Sequence, residues 1–408
     1  MTRPTARLTA ATALALLCSG AALAQSSPYY IGVAQSVTHD SNLYRLDDSA
    51  ATPASVKSKS DTGYTTSLVA GIDQQWGRQR LSGSGSLRAN RFQHNDQLNN
   101  NGWGLNLGLD WSTIERLSGN VTLGSDRSLR RFDPAFSGSL TDRNIEDNNL
   151  LSGTVRLGVV TRLTAEATLS RRNVRFSAPA YQGSEYNQNT GSVGMRYRLG
   201  GATTLGLAWR ESRLRYVSGN DPYDRRDIDL TGTWDPSALT KVYARLSQTR
   251  TQHEQLARQN LDFSGVTGEL RGSTQATGKL KLNARISRDT GQSYSTFDYQ
   301  GLVGATEFNR TTDALRLGAD YAYSAKVAFT ASGEYARRDL NRALTFLTLD
   351  GSDRTTSLAV GARWTPLRAA QLGCDLTRLQ GKTAGGNAKV GRNYSSNGLS
   401  CFGQFVLQ

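Results

Sequence analysis

The sequence predicts an all-β fold: a transmembrane, antiparallel, up-and-down β-barrel of about 18 strands. Three observations predict it. Apolar and polar residues alternate with a two-residue period along almost the whole chain, the signature of strands with two unlike faces. An N-terminal leader is followed by no run of the roughly 18 apolar residues that a membrane-crossing helix needs. Short turns alternate with long polar connections, as in outer-membrane barrels, whose turns lie on the periplasmic side and whose loops lie outside.

The leader reads MTRPTARLTAATALALLCSGAALAQ. Arg3 and Arg7 form a positive start, Leu8–Leu17 an apolar stretch, and Ala22-Leu23-Ala24 a small-x-small cleavage site, so 1–24 is expected to be a secretory signal peptide and 25–408 the barrel. Bulky Leu17 before Cys18 argues against a lipoprotein signal. Mean hydropathy is −0.48 with 41 Gly and 8 Pro, a weak average that a barrel gives because alternation hides its apolar band. Removing Arg3 and Arg7 with the leader leaves 46 basic against 34 acidic residues, a net charge of +12. That charge is spread as single arginines through alternating strands, with no zinc pattern and no basic helix, so nucleic acid is excluded as a partner. A solvated pore lining and a lipopolysaccharide neighbourhood account for it better. The expected location is the outer membrane of a Gram-negative cell, with outer-membrane lipid and lipopolysaccharide as neighbours.

In chain order the first strand is Tyr29–Thr38. In the next, Leu68, Ala70, Ile72 and Trp76 alternate with Ser67, Asp73 and Gln75. After Gly77-Arg78-Gln79, Leu81, Gly83, Gly85, Leu87 and Ala89 oppose Ser82, Ser84, Ser86, Arg88 and Asn90. Trp103, Leu105, Leu107, Leu109 and Trp111 then form an apolar face with an aromatic at each end, as a bilayer-spanning strand should. The pattern continues in Leu117–Arg127, Leu150–Val160, Leu163–Val174, Gly191–Leu199, Thr203–Arg213 and Arg226–Asp235. It runs on through Lys241–Thr251, Leu261–Gly272, Lys279–Arg288, Asp313–Tyr323, Lys326–Arg337, Thr355–Trp364, Ala369–Leu379 and Asn397–Leu407. Long loops are expected at Asp40–Asp61, Phe132–Asn149, Arg175–Thr190, Asp289–Thr312, Asp339–Arg354 and Gln380–Ser396. Gly291–Gly304, rich in Tyr, Phe and Gly, is a segment able to fold into the lumen, although a surface loop is the default.

The polar faces carry Arg88, Arg156, Arg172, Arg196, Arg198, Arg210, Arg245, Arg271, Arg285, Arg316 and Arg363, with Asp73, Asp110, Glu166, Glu269, Asp320, Glu334 and Asp375 among them. These are expected to line the lumen, since a charge facing lipid at the midplane costs roughly 2–4 kcal/mol. Two readings stand. Either the wall is electropositive and favours an anionic solute, or the arginines pair with carboxylates of neighbouring strands and keep the wall hydrated. Cys374 and Cys401 fall on the lipid-facing register of the last two strands at similar height. A cross-strand disulfide, favoured by an oxidising compartment, and two lipid-facing thiols are equal readings of that placement.

No pair among His39, His94 and His253 has metal-ligand spacing, and no metal or cofactor is expected. There is no G-x-S-x-G motif, and Gly83 and Gly85 sit within a strand with no helix after them, so neither a hydrolase nor a phosphate loop is read. The chain is expected not to be an enzyme.

Three segments, DSNLYR at Asp40–Arg45, SDTGYTTSLVAGIDQQWGRQRL from Ser60 and LNNNGWGLNLGLDW ending at Trp111, resemble the exopolysaccharide-biosynthesis outer-membrane proteins of the EpsL type, in the putative β-barrel porin 2 group. The resemblance covers the first third of the chain and consists of strand and turn signatures, so it carries no site residues. It implies a barrel supporting exopolysaccharide export, with polysaccharide-export periplasmic proteins and the polymer itself as partners. The alternative is a passive porin for small anionic solutes or sugars.

Overall fold

Backbone polar groups have no water to bond inside a bilayer, so strands can cross it only if every ladder has a neighbour on both sides. The computed structural model meets this by closing eighteen strands into one antiparallel barrel. It describes residues 27–49, 51–132, 141–158, 161–217, 222–254, 261–299, 302–343, 348–387, 389–390 and 392–408, with backbone alone for 292–299, 302–307, 343 and 389–390. The leader, with Cys18, and Val159 and Val160 of the sixth expected strand lie outside the described residues.

The strands are β1 (Tyr29–Asp40), β2 (Asp61–Trp76), β3 (Gln79–Phe92), β4 (Asn100–Ser112), β5 (Leu117–Leu129), β6 (Ile145–Leu157), β7 (Leu163–Phe176), β8 (Tyr186–Arg198), β9 (Thr203–Tyr216) and β10 (Tyr223–Ser237). There follow β11 (Thr240–His253), β12 (Phe263–Gln275), β13 (Leu280–Tyr299), β14 (Leu302–Ala322), β15 (Val327–Ala343), β16 (Thr348–Leu367), β17 (Ala370–Gly386), β18 (Lys389–Val390) and β19 (Tyr394–Leu407). Each pairs with its sequence neighbour, except that the two-residue β18 lies against β13 while β17 pairs with β19. Closure is made by β1 against β19, in register from Ile31↔Leu407 to Asp40↔Gly398.

Alternation turns this register into two walls. Leu68, Leu87, Trp103 and Arg127 lie side by side across β2 to β5, and Leu230, Leu246, Gly268 and Arg288 across β10 to β13. The apolar members face outward: Leu87 is 60% and Leu169 73% exposed. Such exposure would be a liability in water, but it is what a lipid belt requires. Aromatics bracket the belt, with Trp76, Trp234, Tyr323 and Trp364 near the short turns and Tyr64, Trp103 and Tyr335 near the long connections. Gly77 adopts φ +60° in the β2–β3 turn, a backbone state that side-chain-bearing residues resist.

The strands on the long-loop side rise further than the sequence periodicity suggested. Gly291–Gly304, read as a loop able to enter the lumen, instead belongs to a hairpin of β13 and β14, paired from Gly291↔Arg310 to Tyr299↔Leu302. The segment is rich in Tyr, Thr, Phe and Val, which suit a pleated surface whether or not lipid surrounds it. The loops expected at Asp339–Arg354 and Gln380–Ser396 are likewise largely taken up by β15, β16 and β17.

Completely buried side chains occur at this same end. Tyr44, Leu46, Val56 and Leu98 form a small core packed against Phe92, Leu129 and Phe132. It fixes the 41–60 loop, whose Asn42 amide bridges Leu46 O at 2.9 Å and Ser395 O at 3.1 Å. The loop also reaches the β3–β4 connection through Tyr44 OH to Asn95 Oδ1 (3.1 Å) and the β5–β6 connection through Ser55 to Thr141 (2.9 Å). Burial pushes the Tyr44 phenol up to about 12, so it stays neutral and donates this bond. One loop therefore ties strand ends from β19 round to β6.

The two walls predict unequal tolerance. Leu123→Arg, on the lipid face at mid-strand, should cost about 2–4 kcal/mol, whereas Thr122→Arg, on the opposite face, should cost little. Urea unfolding of vesicle-folded protein measures this, and equal costs would contradict the assignment of faces.

Candidate functional site

The inward residues are those between the outward ones, and the expected arginines all fall on that register. Nine of the eleven meet a carboxylate: Arg88 with Asp126, Arg156 and Arg196 with Glu166, Arg210 and Arg245 with Asp229, Arg271 and Arg285 with Glu269, Arg316 with Glu334 and Arg363 with Asp375. Arg172 donates to Asn148 Oδ1 at 3.1 Å, and Arg198 forms no ion pair among the described residues. Of the remaining acids, Asp73 holds Arg80 at 2.6 Å, while Asp110 and Asp320 form no ion pair among the described residues.

Pairing is widespread, yet three acids (Glu166, Glu269 and Asp229) each serve two of these arginines, so pairing leaves positive charge over. Half-exposed pairs of this kind add about 0–1 kcal/mol of stability. Their larger effect is to hold guanidinium groups at fixed places on a wetted wall.

The densest charge network was missed in part by reading the sequence. Arg210 Nη1 meets Asp227 at 3.1 Å and its Nε meets Asp229 at 2.9 Å, while Arg225 Nε approaches Asp227 at 2.9 Å. Ser247 and Thr249 donate to the same two carboxylates at 2.5 Å. The signal was present, because Asp227 and Asp229 alternate with Ile228 and Leu230 under the same two-residue rule. Arg162 and Tyr243 were also missed, the first because it sits in a turn and the second because its strand-mates are not aromatic.

Those two residues complete a concavity in the inner wall near the short turns. Its volume is about 410 Å³, and Arg156, Arg162, Arg196, Arg198, Arg271 and Tyr243 line it together with threonine hydroxyls, with no acid in the lining. Arg198 N donates to Arg162 O at 2.8 Å, which sets the two chain positions side by side. Arg271 lies over the Tyr243 ring, 4.4 Å from its centroid, with its Nε 3.7 Å from Glu269, and stacking leaves the remaining N–H groups in the ring-parallel plane. Guanidinium donors in this arrangement suit carboxylate or phosphate oxygens.

Cys374 and Cys401 stand directly opposite in the β17–β19 ladder, with Cα atoms 4.0 Å apart, and their sulfurs are joined in a disulfide. It lies on the outward register with Leu372, Leu376 and Leu399, next to the strand that closes the barrel. The histidines are tied locally: His39 to Thr62, His94 to Asp61, and His253 to Asp262 at 2.8 Å. Among the described residues no cluster of His, Cys, Asp and Glu could hold a metal ion.

No family model matches the chain, and no curated protein does. Among solved structures, Pseudomonas aeruginosa OccK9 (OpdG) is similar with 13% identity and a TM-score of 0.47 over 93% of this chain and 98% of that one. P. aeruginosa OccK2 (OpdF), crystallised with glucuronate, gives 13% and 0.49 over 94% and 99%. Acinetobacter baumannii OccAB3 gives 8% and 0.49 over 93% and 99%. These structures are outer-membrane porins of the Occ/Opd type, not exopolysaccharide-biosynthesis proteins of the EpsL type, and the resemblance read from the first third of the chain is corrected accordingly. The segments that suggested it do work common to barrels: Asp40 and Arg45 pair at 2.7 Å at a strand end, and Trp103 belongs to the aromatic girdle.

The cross-link closes a loop with a sequence separation of 27, so Cys374→Ser/Cys401→Ser should lose about 3.5 kcal/mol on the loop-entropy estimate. Urea midpoints of oxidised wild type and the double variant test this. Coincident midpoints would show that the bond constrains nothing that unfolding releases.

Proposed function

We propose that this outer-membrane barrel is a passive, non-enzymatic channel for small anionic solutes. The observation that carries the reading is the arginine concavity with no acid in its lining, on the inner wall near the periplasmic turns. Two of its arginines, Arg162 and Arg198, have no ion pair among the described residues, so their charge is available to a solute. Fixed charge in a low-dielectric cleft concentrates counter-ions and speeds their entry. The ion pairs elsewhere on the wall keep it hydrated without large net charge. The 41–60 loop is tied to strand ends from β19 to β6, and we propose that it restricts entry to small molecules.

Vesicle swelling tests the reading. Vesicles holding the protein should admit a small carboxylate faster than a neutral sugar of similar size. Arg162→Gln/Arg198→Gln should lower that ratio by about tenfold. An unchanged ratio, or faster entry of cations than of anions, would sink the proposal. Shortening the 41–60 loop should speed entry of larger solutes in the same assay, and no change would mean that the loop does not restrict the path.

A further inference from the structure

The outward wall carries a second set of arginines for which the channel has no use. Alternation places Arg91 of β3 and Arg127 of β5 on the lipid-facing register of Leu87 and Leu123, just beyond the belt on the long-loop side. Arg143, preceding β6, joins them. The three line one outward concavity of about 690 Å³ with Asn101, Leu87 and Trp103, and no carboxylate lines it.

The three guanidinium groups are positioned with much of their donor capacity left. Arg127 stacks on Trp103, 5.2 Å from the ring centroid, and meets Asp147 at 3.4 Å. Arg91 Nη1 donates to Asn100 O at 3.1 Å and Asn101 Oδ1 at 3.2 Å. Arg143 Nη1 donates to Asn99 O at 3.0 Å. Apart from Asp147 these are neutral acceptors, and each guanidinium has five N–H groups to give. Tryptophan at a belt edge marks headgroup depth, so the site opens where lipid headgroups lie.

The same device recurs around the rim. Arg226 and Arg250 are directly opposite across β10 and β11, and Arg354 and Lys382 across β16 and β17. All four are exposed and form no ion pair among the described residues. Like charges directly opposite destabilise a sheet; Glu211 stands opposite Arg226 on β9, and an anion from outside the chain would offset the charge that remains. Arg226 also caps an apolar groove of about 860 Å³ lined by Leu207, Trp209 and Ile228, which suits an acyl chain.

We propose that this rim binds the phosphorylated glycolipid of the outer leaflet, with phosphate held among Arg91, Arg127 and Arg143 and an acyl chain against Leu87 and Trp103. Bidentate guanidinium–phosphate bonding accounts for arginine outnumbering lysine there.

Native mass spectrometry of the full-length folded protein in detergent tests this with diphosphoryl lipid A, dephosphorylated lipid A and phosphatidylglycerol as probes. Diphosphoryl lipid A should bind in preference to the other two. Arg91→Gln/Arg143→Gln should weaken it by about thirtyfold, as expected for two interfacial charges, with heat-modifiable gel mobility confirming the fold. Should that variant fail to fold, the wild-type comparison decides alone. Equal binding of dephosphorylated lipid A or of phosphatidylglycerol would overturn the proposal, as would wild-type affinity in the folded variant.

Discussion

The structure depends on one constraint: in lipid, each strand must find a hydrogen-bonding neighbour on both sides. Pairing of β1 with β19 meets it by removing the last two free edges. Once the sheet is closed, the two-residue pleat leaves every side chain one of two destinations, lipid or lumen. A one-residue slip would exchange them throughout a strand. Register thus sets where charge goes, and the disulfide between Cys374 and Cys401 pins it beside the closing strand.

Charge on the two walls is handled differently. Inside, arginines share carboxylates across adjacent strands, and the network of Arg210, Asp227, Asp229 and Arg225 shows how far such pairing can go. Near the short turns the sharing runs short: of the five arginines around one concavity, Arg156 and Arg196 share Glu166 and Arg271 meets Glu269, while Arg162 and Arg198 form no ion pair among the described residues. Outside, Arg91, Arg127 and Arg143 lie at the long-loop end, next to Trp103 of the aromatic girdle.

Strand alternation made the barrel legible in the sequence. It placed Arg88, Glu166 and Glu334 on one wall and Leu105, Leu207 and Val360 on the other, because a half-buried strand has only two faces to distinguish. What alternation could not show is how high a strand rises above the membrane. The β13–β14 hairpin continues past the belt with residues that suit a sheet in water as well as in lipid, so nothing in its pattern marked it as other than a loop. Packing of Tyr44, Leu46, Val56 and Leu98 was also hidden, since it joins segments distant in the chain. The concavity was legible only in part: Arg156, Arg196, Arg198 and Arg271 follow the strand rule, but Arg162 lies in a turn, where no period applies. Segment likeness misled because strand and turn signatures report architecture, which unrelated barrels share.

In the proposed channel the lumen is an aqueous path whose unpaired arginines favour anions. The most direct measurement is the reversal potential of the wild-type protein in a planar bilayer under a potassium chloride gradient, taken at low and at high ionic strength. The expected result is a potential of the sign given by chloride permeation, shrinking as salt screens the wall over a Debye length of about 10 Å at 0.1 M. A potential of the cation-selective sign, or one near zero at low salt, would contradict it.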